Sequence, residues 1–199
     1  MKLIIATNNA HKAREIREIL SADFSELHTL AEAGLTIEVL EDGATFAENA
    51  KKKAEAVLAA AAGYDAALAD DSGLSVDALG GAPGVYSARY AGEQHDDAAN
   101  NRKLMADMAA VPDAERTCRF QCAVALARRG RPTIIAQGAC EGMLLRAPRG
   151  ENGFGYDPYF LYPPAGRSFA ELPAEEKNAV SHRRRALEAL KMLLAEKEV

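Results

Sequence analysis

The chain has only three cysteines, Cys118, Cys122 and Cys140, and they show no paired zinc spacing. An odd, sparse set of this kind argues against a disulfide framework and for reduced thiols in a cytoplasmic protein. No apolar run is long enough to span a membrane. The N-terminal run, Leu3 to Ala6, gives way to Thr7 and two asparagines, which is too short for a signal peptide as well. A strong charge bias is also missing. The 24 Lys and Arg against 29 Asp and Glu leave a net charge of −5 over 199 residues, which gives no general reason to expect nucleic-acid binding. Any affinity for phosphate must therefore come from a local cationic cluster. The GxxxxGK[ST] loop is absent, so this is not a P-loop protein. No repeat, low-complexity linker or composition break divides the sequence, so residues 1–199 read as one domain, with two lobes.

What is present suits a globular domain that buries a real core: 48% hydrophobic and 27% charged residues. The order of elements is mixed α/β. Leu3-Ile4-Ile5-Ala6 reads as a buried strand, and Ile16, Ile19 and Leu20 recur at helical spacing just after it. The segment from Gly34 to Gly43, with Glu38, Glu41 and Asp42, gives a weaker strand-plus-loop signal. Thr45-Phe46-Ala47-Glu48 is a capping-box pattern that opens an alanine-rich helix ended by Gly63. Ala66 to Ala69 reads as a strand delivering Asp70-Asp71-Ser72-Gly73 into a loop. Further on, Asp96 to Met108 look helical. Phe120 to Ala127 and Thr133 to Ala139 read as strands joined by a hairpin, and a helix from about Ser181 to Glu196 closes the chain.

The chemistry concentrates in a few places. Adjacent carboxylates at Asp70 and Asp71 are expensive to bury without a cation or donors, and Mg2+ binds one or two such groups together with substrate phosphates. The same four residues also suit a polar turn. Thr7-Asn8-Asn9-Ala10-His11-Lys12 lies between a strand and a helix, where free N–H groups, a positive dipole end and Lys12 suit phosphate; an asparagine cap beside a solvated lysine is the plainer reading. Lys51, Lys52 and Lys53 stand about 100° apart around their helix. Lys52 can pair with Glu48, and local sequence does not say which lysine turns toward the strand ends. Gly153-Phe154-Gly155-Tyr156-Asp157-Pro158 suits either a base-stacking loop or a structural turn with two core aromatics. Ser181-His182-Arg183, with Lys177 before it, supplies either donors for a base or phosphate, or a helix cap and a basic turn.

In order, these motifs are T-x-N-x-x-K, Thr45-Phe46-x-Glu48-Asn49-Ala50 with Lys53, Asp70 to Leu74, Gly80-Gly81-Ala82-Pro83-Gly84-x-Tyr86-Ser87-Ala88-Arg89, Gly153 to Pro158 and Ser181-His182-Arg183. Together they resemble the pyrophosphatases for non-standard purine nucleoside triphosphates, the inosine/xanthosine triphosphatase family, from Leu3 to about Leu190. The resemblance implies an elongated mixed sheet flanked by helices, two lobes with a cleft between them, and a cytoplasmic homodimer. It also implies Mg2+-dependent hydrolysis of ITP, dITP and XTP to the monophosphate and pyrophosphate, with no nucleic-acid or membrane partner. By motif match, Thr7, Asn8, Asn9, Ala10, His11, Lys12 and Lys53 would bind phosphate, and Ser72 would contact substrate. Asp71 would be the catalytic carboxylate and a metal ligand, with Glu41 as the second acid. Phe154, Gly155, Tyr156, Asp157, Lys177, His182 and Arg183 would line the nucleoside pocket. Asn8 stands where the family often has glycine. The runners-up are a related pyrophosphatase acting on modified pyrimidines or methylated bases, and a non-catalytic nucleotide-binding module.

Overall fold

A computed structural model describes residues 1–20, 24, 26–92 and 96–197. It contains β1 (Lys2–Ile5), α1 (Ala10–Leu20), β2 (Glu26–Thr29), α2 (Phe46–Ala60), β3 (Ala66–Val76), α3 (Asp97–Asp107), β4 (Thr117–Arg128), β5 (Arg131–Leu144), β6 (Phe160–Tyr162), β7 (Arg167–Ser168), α4 (Ala174–Val180) and α5 (His182–Lys197). The strands form one mixed sheet in the order β2-β1-β3-β4-β5-β6-β7. β1 runs parallel to both neighbours, with Leu3 opposite Leu27 and Ala66, whereas β6 is antiparallel to β5 and β7. This is the expected α/β class, a mixed sheet with helices on it.

Contacts divide the chain into two compact units. The first comprises 1–71, 122–138 and 183–199, and strand alternation organises it. Leu3, Ile5, Ala66, Leu68, Cys122, Val124 and Leu126 face one core with Ile16 and Ile19 of α1 and Leu187 and Leu190 of α5. The residues between them, Ile4, Ala67, Ala69, Ala123 and Ala125, face a second core under α2. That second core is alanine-rich on both sides, so helix and sheet approach closely. α2 begins with the expected capping box: Thr45 accepts from the Glu48 N–H, and the Glu48 carboxylate accepts from the Thr45 N–H. Its last carbonyls are closed by Arg129, whose guanidinium donates to Leu58 and Ala61, and also to Tyr64, at 2.8–3.1 Å. The second unit, 72–121 and 139–182, packs around Leu74, Leu104, Phe120, Phe160 and Phe169.

Two expectations need correction. The acidic quartet is not a loop: β3 runs through it to Val76. The segment 35–43 holds no strand, because its acids Glu38, Glu41 and Asp42 face solvent or lysines rather than a ladder; the strand at the sheet edge is β2. The closing helix stands where the sequence implies, as α5, with α4 before it and Ser181 extended between them (φ −67°, ψ 157°). All three cysteines are free and buried. Among the described residues no helix is long and apolar enough to cross a membrane.

Candidate active site

Because β3 continues through the acidic pair, Asp70 and Asp71 project from opposite faces of the sheet. Asp70 extends the row Ala66, Leu68 toward α1 and α5, whereas Asp71 extends the row Ala67, Ala69 toward α2. The two carboxylates therefore meet different partners.

Asp70 is fully buried and belongs to a charge cluster. Its Oδ2 lies 3.0 Å from the Arg183 guanidinium and 3.2 Å from Lys12 Nζ. Arg183 also holds Glu15, three residues after Lys12 on α1. Two carboxylates and two cations thus balance. Burial alone would raise the Asp70 pKa, but Lys12 and Arg183 overturn that and hold it below the ordinary carboxylate range. Burial works against the Lys12 ammonium too, yet Asp70 beside it keeps its pKa above the usual lysine value.

Asp71 has the opposite shift. Burial, reinforced by the nearby charge of Glu41, raises its pKa against the pull of Lys12 and Lys53. Its Oδ2 accepts from Asn49 Nδ2 at 3.0 Å. Lys53 Nζ lies 2.8 Å from Glu41 and donates to the Asp70 carbonyl at 3.1 Å. Of the three consecutive lysines, only Lys53 is largely buried. Lys51 pairs with Glu55, and Lys52 pairs with Asp42 rather than with Glu48, which is committed to the helix cap. Among the acids near Glu41, Glu38 is exposed and Asp42 faces Lys52, so Glu41 is the one whose charge reaches Asp71.

Among the described residues no group of three or more His, Cys, Asp or Glu side chains is assembled for a metal. The carboxylates that would hold one are Asp71 and Glu41, whose charges oppose each other. Hard oxygen donors in that number fit Mg2+, which ordinarily completes its sphere with water and substrate phosphate.

The T-x-N-x-x-K segment is more occupied than its sequence suggests. Asn9 caps α1, its Oδ1 accepting from the His11 and Lys12 N–H groups at 3.0 and 3.1 Å, while Thr7 Oγ1 accepts from the Asn9 N–H. Asn8 donates to the Ile37 carbonyl at 3.1 Å. Thr7, Asn8 and Ala10 line a groove of about 320 Å³ with Arg14, Arg17 and Thr29. His11 is exposed beside Arg14. The cation of the segment that is turned toward the acidic pair is Lys12.

In the second unit, Asp157 Oδ2 accepts from Lys177 Nζ at 2.6 Å and from the Phe154 N–H at 2.9 Å. A Cβ on Gly153 (φ +76°) would lie 2.1 Å from that oxygen, so only glycine serves there. Lys177 Nζ sits 4.8 Å from the Phe154 ring centroid. Gly155 is clamped by α3, its N–H donating to Asp97 and its carbonyl accepting from Asn101. Tyr156 is buried in the core with its hydroxyl on the Ser87 carbonyl, a structural placement. Ser72 is half-buried on β3. The His182 ring is buried and stacks on Phe120, with centroids 4.8 Å apart.

Arg183, expected in the nucleoside pocket, lies in the buried charge cluster. It is 1% exposed, and its donors are engaged by Asp70 and Glu15. From sequence no role is assigned to Glu15, Asn49, Asp97 or Asn101, although Asn49 stands within a motif. Glu15 had one usable signal, a carboxylate on the same helix face as Lys12, and Asn49 had another, a polar residue one turn into a capped alanine helix. Asp97 and Asn101 carry no local signal.

Residues 3–193 match the Ham1 family. The chain is 50% identical over 203 residues to the dITP/XTP pyrophosphatase of Desulforamulus reducens, covering 100% of both sequences. It is 50% identical to the enzyme of the same name from Bacillus subtilis, covering 96% of each. It superposes on the solved structure of a HAM1 protein from Coxiella burnetii with a TM-score of 0.85 at 41% identity, covering 98% of this chain and 99% of the other.

Proposed function

The chain belongs to the Ham1 family, and from that premise we propose that it hydrolyses non-standard purine nucleoside triphosphates, dITP, XTP and ITP, to the monophosphate and pyrophosphate. The observation that carries the reading is the setting of Asp71: a carboxylate with a raised pKa, held by Asn49, near two lysines and a second carboxylate, while Oδ2 of its neighbour Asp70 is engaged by Arg183 and Lys12. A raised carboxylate pKa suits a general base working near neutrality.

In the proposed reaction water attacks the α-phosphorus as the bond from that phosphorus to the bridging oxygen breaks. Asp71 orients the water and accepts its proton, and pyrophosphate leaves. Lys12 and Lys53 offset the charge that develops on the leaving group. Mg2+, held by Asp71 and Glu41, would supply further charge neutralisation at the phosphates. Phe154 would stack on the purine, and Lys177 and Asp157 would hold the loop that presents it. The reading takes the 199 residues as one catalytic domain. It extends to a homodimer and to the cytoplasm, where three free, buried cysteines would stay reduced.

The test is product analysis. The purified protein with Mg2+ is expected to release pyrophosphate from dITP, XTP or ITP far faster than from ATP or GTP. Orthophosphate as the first product would refute the bond assignment, and equal rates on ATP would refute the specificity.

A further inference from the structure

We propose that Asn49 is a positioning residue that sets the spacing between Asp71 and Glu41, the two carboxylates assigned to the metal; the inference rests on that assignment. Asn49 lies in the first turn of α2 and is only 1% exposed. Its carboxamide is used at both ends. Oδ1 accepts from the Gly43 N–H at 2.7 Å, and Nδ2 donates to Asp71 Oδ2 at 3.0 Å. The orientation is not arbitrary, because a backbone N–H can only donate and so must face the amide oxygen, which turns the NH₂ toward the carboxylate.

One planar group therefore ties β3 to the loop that carries Glu41, two residues before Gly43. An aspartate in its place would set a second carboxylate against Asp71. An apolar side chain would leave both the Gly43 N–H and the Asp71 carboxylate without this partner. Gly43 is built for the same contact: a Cβ there would stand 2.7 Å from Asn49 Oδ1 and 2.9 Å from Glu48 Cβ, closer than atoms pack. The capped start of α2 fixes Asn49 in turn, since its own N–H donates to the Thr45 carbonyl at 3.2 Å. A group that orients a metal-binding carboxylate without touching the metal affects metal affinity before anything else. Losses of about 10–100-fold are usual for such partners.

The experiment titrates Mn2+ into the full-length, substrate-free protein and follows the free Mn2+ signal by electron paramagnetic resonance, with far-UV circular dichroism as a check of folding. Asn49→Leu keeps the volume and removes both hydrogen bonds. Gly43→Ala attacks the same contact from its other end and decides the matter if Asn49→Leu does not fold. Both are expected to weaken Mn2+ binding about 10–100-fold, and the double variant is expected to lose no more than the worse single. Wild-type Mn2+ affinity in folded Asn49→Leu, or fully additive losses in the double variant, would overturn the role of Asn49 while leaving the metal assignment standing. Wild-type protein that binds no Mn2+ would overturn the metal assignment, and the role of Asn49 with it.

Discussion

Replacing Arg183 by methionine tests the buried charge cluster directly. Its side chain is 1% exposed and Asp70 is fully buried, with Glu15 nearly so and Lys12 at the margin. As folded, the two cations and two carboxylates cancel. Methionine fills much of the volume but leaves the set with an uncompensated negative charge. Removing one partner from a buried pair typically costs about 3–5 kcal/mol, because the remaining charge stays desolvated. For a chain of this size, about 4 kcal/mol corresponds to a drop of roughly 8–16 °C in Tm. Arg183→Met combined with Asp70→Asn restores the balance between Lys12 and Glu15. The double variant should therefore recover stability relative to additive losses, with a coupling of about 0.5–3 kcal/mol. The assay is urea unfolding at pH 7, followed by far-UV circular dichroism and by tyrosine fluorescence, since the chain has six tyrosines and no tryptophan. In activity assays, Arg183→Met should lower kcat/KM for ITP and ATP by similar factors, because Nε, Nη1 and Nη2 each donate to a buried carboxylate. The reasoning is refuted if Arg183→Met unfolds within about 1 kcal/mol of wild type, or if the two substitutions add without coupling. Selective loss of ITP hydrolysis would return the arginine to base recognition.

Further outcomes follow from the same geometry. Asp71→Asn keeps the shape and removes the base, so turnover at saturating Mg2+ should fall by at least about 10²–10⁴-fold in a folded protein; wild-type turnover would refute the assignment. In the proposed mechanism Asp71 acts ionised, so kcat/KM should decline as pH falls through its titration, which burial and Glu41 push up and a bound Mg2+ would pull down. Asp71→Asn should abolish that limb, and an unchanged profile in the residual activity would point to another group. Asp70 has a depressed folded pKa, so its contribution is complete above the unfolded value of about 4 and is lost as pH falls below it. Asp70→Asn should flatten the acid side of a Tm-against-pH curve, and an unchanged slope would refute the linkage. Phe154→Ala should raise KM for ITP and ATP alike, by about 5–150-fold for a stacking contribution of about 1–3 kcal/mol; an effect on one purine alone would give Phe154 a role in selection.

The parts of this molecule that local sequence specifies were legible in it. The Thr45 and Glu48 cap, the first strand and the helix carrying Lys12 follow from short-range pattern, and each is formed as the pattern implies. What could not be read is where long-range partners override propensity. Nothing beside Lys53 distinguishes it from Lys51 and Lys52; it is drawn inward by a carbonyl on β3 and by Glu41. Nothing beside Arg183 separates it from Arg184, which pairs with Glu188 on its own helix, whereas Arg183 is turned in toward Asp70, 113 residues earlier in the chain. The acidic pair is the clearest instance. Aspartate disfavours strands, so two in a row read as the start of a loop, yet Lys12 and Arg183 make Asp70 tolerable inside one. Once β3 is seen to continue, the division of labour follows from alternation alone. Neighbouring residues of a strand face opposite ways, so one carboxylate is delivered to Arg183 between α1 and α5 and the next to Asn49 of α2. Lys12 and Lys53 are felt by both carboxylates, but only Asp70 meets Arg183, and only Asp71 meets Asn49.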